Sequence, residues 1–241
     1  MTATARARTP VATRQRVLLV NVLVVAVCAL VYELLCGTLA SYLLGDAVLQ
    51  FSLVLGTYLF AMGVGAWVSK SLEAHAGPRY VQTELALALV GGLSVPLLLG
   101  GVAAHVPLRP ALHAVVFVVG ALVGVELPLL VKILREPETA ETPATDAKPQ
   151  TFAELVARAF AYDYMGALAA SLLFPLLLVP RLGLVRTSVV AGAVNALMAL
   201  SATFVVRVPR PVLMRVAGVL VLAVLAVFFV RGEAWVSAAT D

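Results

Sequence analysis

The chain has 241 residues, of which 62% are hydrophobic and 12% charged, with a formal net charge of +4. Soluble domains carry ~25% charged residues, so the composition excludes a water-soluble globular fold, and the basic excess is no argument for nucleic acid. The apolar residues run in long blocks, and ~20 of them suffice to cross ~30 Å of hydrocarbon. The expected fold class is all-α: a polytopic transmembrane helix bundle of about seven spans.

In chain order, residues 1–16 form a basic tail with Arg6, Arg8, Arg14 and Arg16. The apolar run from Val17 to Leu44 exceeds the ~7–15 residues of a signal-peptide core, so a retained first span over 17–44 is expected. Further spans are expected at 48–69, 82–105, 110–131, 158–180, 185–206 and 211–230. Gln82 and Glu84 open the third of these and read as a helix start. The polar linker "REPETAETPATDAKPQ", 135–150, separates four spans from three. The organisation is thus a tail at 1–16, a transmembrane domain at 17–231 and a C-terminal tail at 232–241. Thirteen lysines and arginines then fall on the side of the N-terminus and four on the other, which places the N-terminus and the linker in the cytoplasm. Cys28 and Cys36 lie ~12 Å apart along the first helix, too far for a bridge between them. They read as buried thiols, and no metal-ligand spacing occurs.

Small residues recur at helix-packing intervals. Gly120 and Gly124 stand at GxxxG spacing, Gly166 pairs with Ala170, Gly56 and Gly63 share a face, and Gly37 follows Glu33 on its helix. Such intervals let backbones approach where lipid offers no hydrophobic drive.

Three acids fall inside spans: Glu33, Glu126 and Asp163. A charge at the bilayer centre costs at least ~2.5–3.5 kcal/mol on insertion scales, so each needs a partner, water or a proton. Glu126 stands two residues before Pro128, which leaves the carbonyl of Gly124 free. Glu126 and Asp163 each lie ~8–9 Å from a basic end of their span, at one level. Two readings stay open. Glu126 with Lys132, and Asp163 with Arg158, could be structural locks; or the acids handle a cation, a proton or an organic amine. Lipid headgroups are the third contact to weigh. On the cation reading, Glu33 faces the bundle interior and shares a polar pocket with Glu126 and Asp163, neutral by protonation or by a bound cation. Tyr32, Tyr162 and Tyr164 are the neighbouring candidates; the last two also suit the aromatic belt at the membrane surface.

"YELLCGTLASYLLGDAVLQFSLVLGTYLFAMGVGAW", "GALVGVELPLL" and "ARAFAYDYMGALAASLLFPLLLVPRLGLVRTS" resemble the membrane domain of the spermidine synthase-like (polyamine aminopropyltransferase-like) bacterial membrane proteins. The resemblance runs over residues ~17–230, and by it Tyr32, Glu33, Gly45, Ser52, Gly63, Gly65, Glu126, Pro128, Asp163, Gly166 and Gly183 match the family's characteristic positions. It implies a multi-pass protein of the bacterial cytoplasmic membrane. It also implies a soluble Rossmann-like domain that transfers an aminopropyl group from decarboxylated S-adenosylmethionine. The Gly-rich strand–helix pattern of such a domain is missing here, and "RGEAWVSAATD" stands about where it would begin. The expected function is therefore a membrane module that anchors a transferase domain and supplies polyamine-type substrate to it. No catalytic residue, cofactor or metal is expected in these residues. A stand-alone small-solute or proton-coupled transporter is the alternative: "ALVYELL" and "ALVGVELPLL" are alike and would lie in opposite orientations, as an inverted repeat requires. The last span lacks the lysine that a retinal protein needs.

Overall fold

The computed structural model describes residues 11–135 and 151–240. The first ten residues of the basic tail and residues 136–150 of the expected linker lie outside the described residues. The elements are α1 (Val11–Leu44), α2 (Ala47–Leu72), a 3-10 turn (Glu73–His75), α3 (Ala76–Gly92), α4 (Ser94–Ala103), α5 (Leu108–Arg135), α6 (Phe152–Leu173), a π turn (Phe174–Leu178), α7 (Val179–Val205) and α8 (Pro211–Thr240). No strand occurs among the described residues. α8 runs on through residues expected to form a C-terminal tail.

Local chemistry sets several of these ends. Gly45, at φ +71°, takes the left-handed conformation that closes α1. Asp46 then caps α2 by accepting from the Leu49 amide at 3.1 Å. Thr151 and Glu154 form a reciprocal capping box that starts α6.

Five helical stretches among the described residues are long and apolar enough to cross a membrane: Thr13–Leu44, Ala47–Gly92, Leu108–Arg135, Phe152–Val205 and Pro211–Gly232. Seven were expected, and the difference lies in two continuous stretches of 46 and 54 residues. At 1.5 Å per residue these would be ~69 and ~81 Å long, and neither is straight. His75 leaves the helical region (φ −131°, ψ 46°), and the chain turns back there. Glu73 lies 3.8 Å from Lys132 at the end of α5, while Val81 and Leu85 share a cluster with Leu129 and Ile133. Further on, Val95 and Leu98 reach Leu112 and Val116 at the start of α5, where Val54 and Tyr58 of α2 also pack. The second reversal is at Gly183 (φ 71°, ψ 176°). Gly166, before it, lies against Leu23 and Ala26. Ser201, after it, donates its hydroxyl to Asn21 Oδ1 at 3.1 Å. Both therefore meet the same stretch of α1.

α1 and α5 form the middle of the bundle. One large apolar cluster contains Tyr32, Leu35, Leu39, Tyr58, Leu112 and Val119. A second, toward the end that holds Lys132, contains Leu18, Tyr80, Leu129 and Ile133. Outward faces are apolar too: Leu59, Phe60 and Trp67 of α2 and Val212, Leu220 and Val230 of α8 are exposed. That is the inverse of a soluble surface and suits acyl chains.

Glycines set the closest helix contacts. A Cβ on Gly124 would meet the Met62 backbone, one on Gly120 the Tyr58 carbonyl oxygen at 2.8 Å, and one on Gly65 the Ala121 backbone. Gly166 approaches the Leu23 carbonyl and Gly37 the Phe51 ring. Gly56 and Gly63 differ from expectation: nothing lies within 4 Å of where their Cβ would be. They share a helix face, but α2 turns it away from the bundle.

Candidate functional site

Glu126 is the deepest of the three expected acids, at 6% exposure on α5. It lies within electrostatic range of Glu84 and Asp163, and among the described residues no basic side chain stands with the groups acting on it. Its Oε1 has no hydrogen-bond partner among the described residues. The expected Glu126–Lys132 lock does not form, because Lys132 reaches Glu73 at the end of α2 instead. Pro128 bends attention to the same turn: the carbonyl it leaves free belongs to Gly124, where α5 touches α2.

Asp163 is half-buried on α6. Gly166, on the same face, lets α6 approach α1 closely enough for the carboxylate to act on Glu126 and on Tyr58. No ion pair or hydrogen bond joins it to Arg158 among the described residues.

Glu33 lies one step away from this pair. Its half-buried side chain opens into a cleft of about 270 Å³ between α1 and α2, lined also by Leu34, Phe51, Ser52, Val54 and Leu55. Tyr58 is one helical turn beyond Val54 and connects the two places. It is buried, donates its hydroxyl to the Ala29 carbonyl at 3.2 Å, and lies within range of Glu33, Glu126 and Asp163 together. The expected shared pocket is thus divided: Glu126 and Asp163 act on each other directly, and Glu33 meets them only across Tyr58.

The tyrosines also separate. Tyr32 is fully buried, its ring against Gly91 and its hydroxyl unpartnered, within range of Glu126 and Glu84. Tyr162 packs on the edge of the second apolar cluster. Tyr164 is 68% exposed, its ring stacked 6.1 Å from that of Phe160 on the outer face of α6. It is therefore displaced from the site, because its helix position points away from α1.

One residue read as a helix start proves central. Glu84 is 0% exposed in α3. Asn195 of α7 donates its amide to Glu84 Oε2 at 2.8 Å and to the Glu84 main-chain oxygen at 3.3 Å. α3 begins at Ala76, two turns earlier than expected, so Glu84 is a mid-helix residue. The signal available in sequence was the pair of apolar flanks, Tyr80–Val81 and Leu85–Leu87, around a lone acid.

Four carboxylates thus gather around two buried tyrosines: Glu33, Asp163 and Glu126 lie within range of Tyr58, and Glu126 and Glu84 within range of Tyr32. Ionised carboxylates in such surroundings are costly unless neutralised, and ammonium groups or protons are the chemistry that does so.

No family model matches the chain. Curated proteins do. The polyamine aminopropyltransferase of Leptospira interrogans is 43% identical over 217 residues, 89% of this chain and 41% of that protein. Polyamine aminopropyltransferase 1 of Ralstonia nicotianae is 46% identical over 192 residues, 79% of this chain and 34% of its own length. Polyamine aminopropyltransferase 1 of Streptomyces coelicolor is 42% identical over 179 residues, covering 74% and 32%. The chain therefore spans about two fifths or less of the length of these relatives. No solved structure matches.

Proposed function

We propose that this chain, a spermidine synthase-like relative of the polyamine aminopropyltransferases, is the membrane-embedded helical part of such a protein. In this reading it crosses the bacterial cytoplasmic membrane seven times with its N-terminus in the cytoplasm. Support for seven comes from the reversals at His75 and Gly183, which divide two overlong stretches into four crossings. Thirteen of seventeen basic residues then lie on the cytoplasmic side.

The bundle anchors a Rossmann-like transferase domain and holds a polyamine-type amine for it. The observation that carries the amine is Glu126. It is nearly inaccessible, is accompanied by Asp163, and among the described residues has no basic side chain acting on it. A polyamine would supply the missing positive charges through its ammonium groups and lay its alkyl segments along apolar walls. The Tyr58 and Tyr32 rings add faces that attract ammonium. In this reading Glu33, which lines the cleft between α1 and α2, receives the second ammonium of the same molecule.

Purified protein in lipid nanodiscs, titrated with spermidine, tests this reading. Wild type is expected to gain thermal stability with added spermidine, by ligand linkage, and Glu126→Gln to lose that response while remaining folded. A wild type indifferent to spermidine removes the amine from the proposal. Uptake of labelled putrescine by proteoliposomes of this chain alone would favour the transporter alternative.

A further inference from the structure

A second polar centre lies on the far side of Glu126, between α3 and α7. Asn195 is fully buried, and both of its amide hydrogens point toward Glu84, to Oε2 at 2.8 Å and to the main-chain oxygen at 3.3 Å. This orientation is dictated, since the flipped amide would set its oxygen against a carboxylate. It leaves Asn195 Oδ1 without a partner. Glu84 Oε1 is buried with no partner among the described residues, and the buried hydroxyl of Tyr80 lies against the same carboxylate.

Glu84 Oε1 and Asn195 Oδ1 can only accept hydrogen bonds. The Glu84 carboxylate is fully buried, and among the described residues no basic side chain stands with the groups acting on it, so the occupant it calls for is positive. Its size is limited by the helices themselves. A Cβ on Gly192 would meet the Ala88 carbonyl oxygen at 2.6 Å and the Gly92 Cα at 2.7 Å, so α3 and α7 touch backbone to backbone one turn from Glu84. Leu225 of α8 covers that contact. An organic amine has no room between helices held so close.

We propose that Glu84, oriented by Asn195 and with the Tyr80 hydroxyl beside it, binds a small monovalent cation, H⁺ or Na⁺, between α3 and α7. The other ionisable groups facing it are Glu126 from α5 and Cys28 and Tyr32 from α1. α8 contributes only apolar cover there. Because Glu84 and Glu126 lie in each other's field, occupancy of this centre is felt at the proposed amine site, and the coupling is reciprocal.

The test uses wild type and Glu84→Gln in nanodiscs with no amine present, so its failure is separate from failure of the spermidine experiment. Gln keeps the bond from Asn195 and removes the charge. In one arm, Na⁺ replaces choline at constant pH and ionic strength. In the other, infrared spectra at neutral pH and in choline are searched for the carbonyl stretch of a neutral carboxylic acid. If Na⁺ is the occupant, wild-type Tm rises on the order of 5 °C at about tenfold the Kd, and Glu84→Gln does not respond. If the occupant is a proton, the carboxylic-acid band is present in wild type and lost in Glu84→Gln. Should that variant fail to fold, Tyr80→Phe replaces it. Deleting the hydroxyl is expected to raise the half-saturating Na⁺ by about tenfold or to shift the carboxyl band. A wild type with neither Na⁺ response nor carboxylic-acid band overturns the proposal. So do responses that survive the substitutions unchanged.

Discussion

The contact between α2 and α5 offers the sharpest test of the bundle, through Gly124→Ala. The added Cβ would sit 2.7 Å from both the carbonyl carbon and the Cα of Met62, against an ordinary contact of 3.4 Å or more. The obstacle is backbone, so no side chain can swing aside, and the helices must separate by about 0.7 Å or more. A gap of ~0.5–1 Å forfeits a quarter to a half of each van der Waals contact it opens. The nearby approaches at Gly120 and Gly65 open with it. Overpacking of this kind costs ~1–3 kcal/mol, and the rigid obstacle puts the cost near the top of that range. The gain in helix propensity of Ala over Gly offsets up to ~1 kcal/mol, leaving a net loss of about 2 kcal/mol. For a chain of this size that lowers Tm by roughly 4–8 °C. Gly63→Ala is the matched control: it sits on α2 with nothing within 4 Å, so only the propensity gain applies. Thermal unfolding of both variants in one detergent, followed by circular dichroism, measures the difference. Equal Tm values, or Gly63→Ala as the less stable variant, would refute the placement of α5 against α2.

Two further outcomes follow from the chain reversals. Gly183 occupies a conformation, φ 71° and ψ 176°, that is essentially restricted to glycine, so Gly183→Ala should cost ~1–3 kcal/mol; Gly218→Ala, whose contact is the flexible end of Leu200, should cost less in the same melt. Seven crossings require that single cysteines at position 75 and at position 105, in a Cys28- and Cys36-free background, label from opposite sides of the membrane. Labelling of both from one side would remove the crossing between them from the count.

Composition and block length were enough to determine that this chain is helical and apolar on all faces, since a lipid-like interior and exterior need no alternation of polarity. The resemblance carried by the segments around Glu33, Glu126 and Asp163 likewise points, from sequence alone, to the polyamine aminopropyltransferases. GxxxG spacing located Gly120 and Gly124, but the same rule chose Gly56 and Gly63, because spacing along one helix gives a shared face and not the neighbour it meets. The acids show the same limit. Glu84 looked like a helix start because its surroundings in sequence are partly polar. Only the packing of α3 against α7 brings Asn195, 111 residues away, to its carboxylate. Glu33 looked like an interior residue, and the packing of α1 beside α2 leaves it half-buried in a cleft between the two helices. Lys132 could have met Glu126 on its own helix, but the return of the chain at His75 delivered Glu73 to it first. A sequence determines which groups cannot remain alone in a membrane; which group answers each of them depends on how the helices cross, and crossings are set by backbone contacts between segments far apart in the chain.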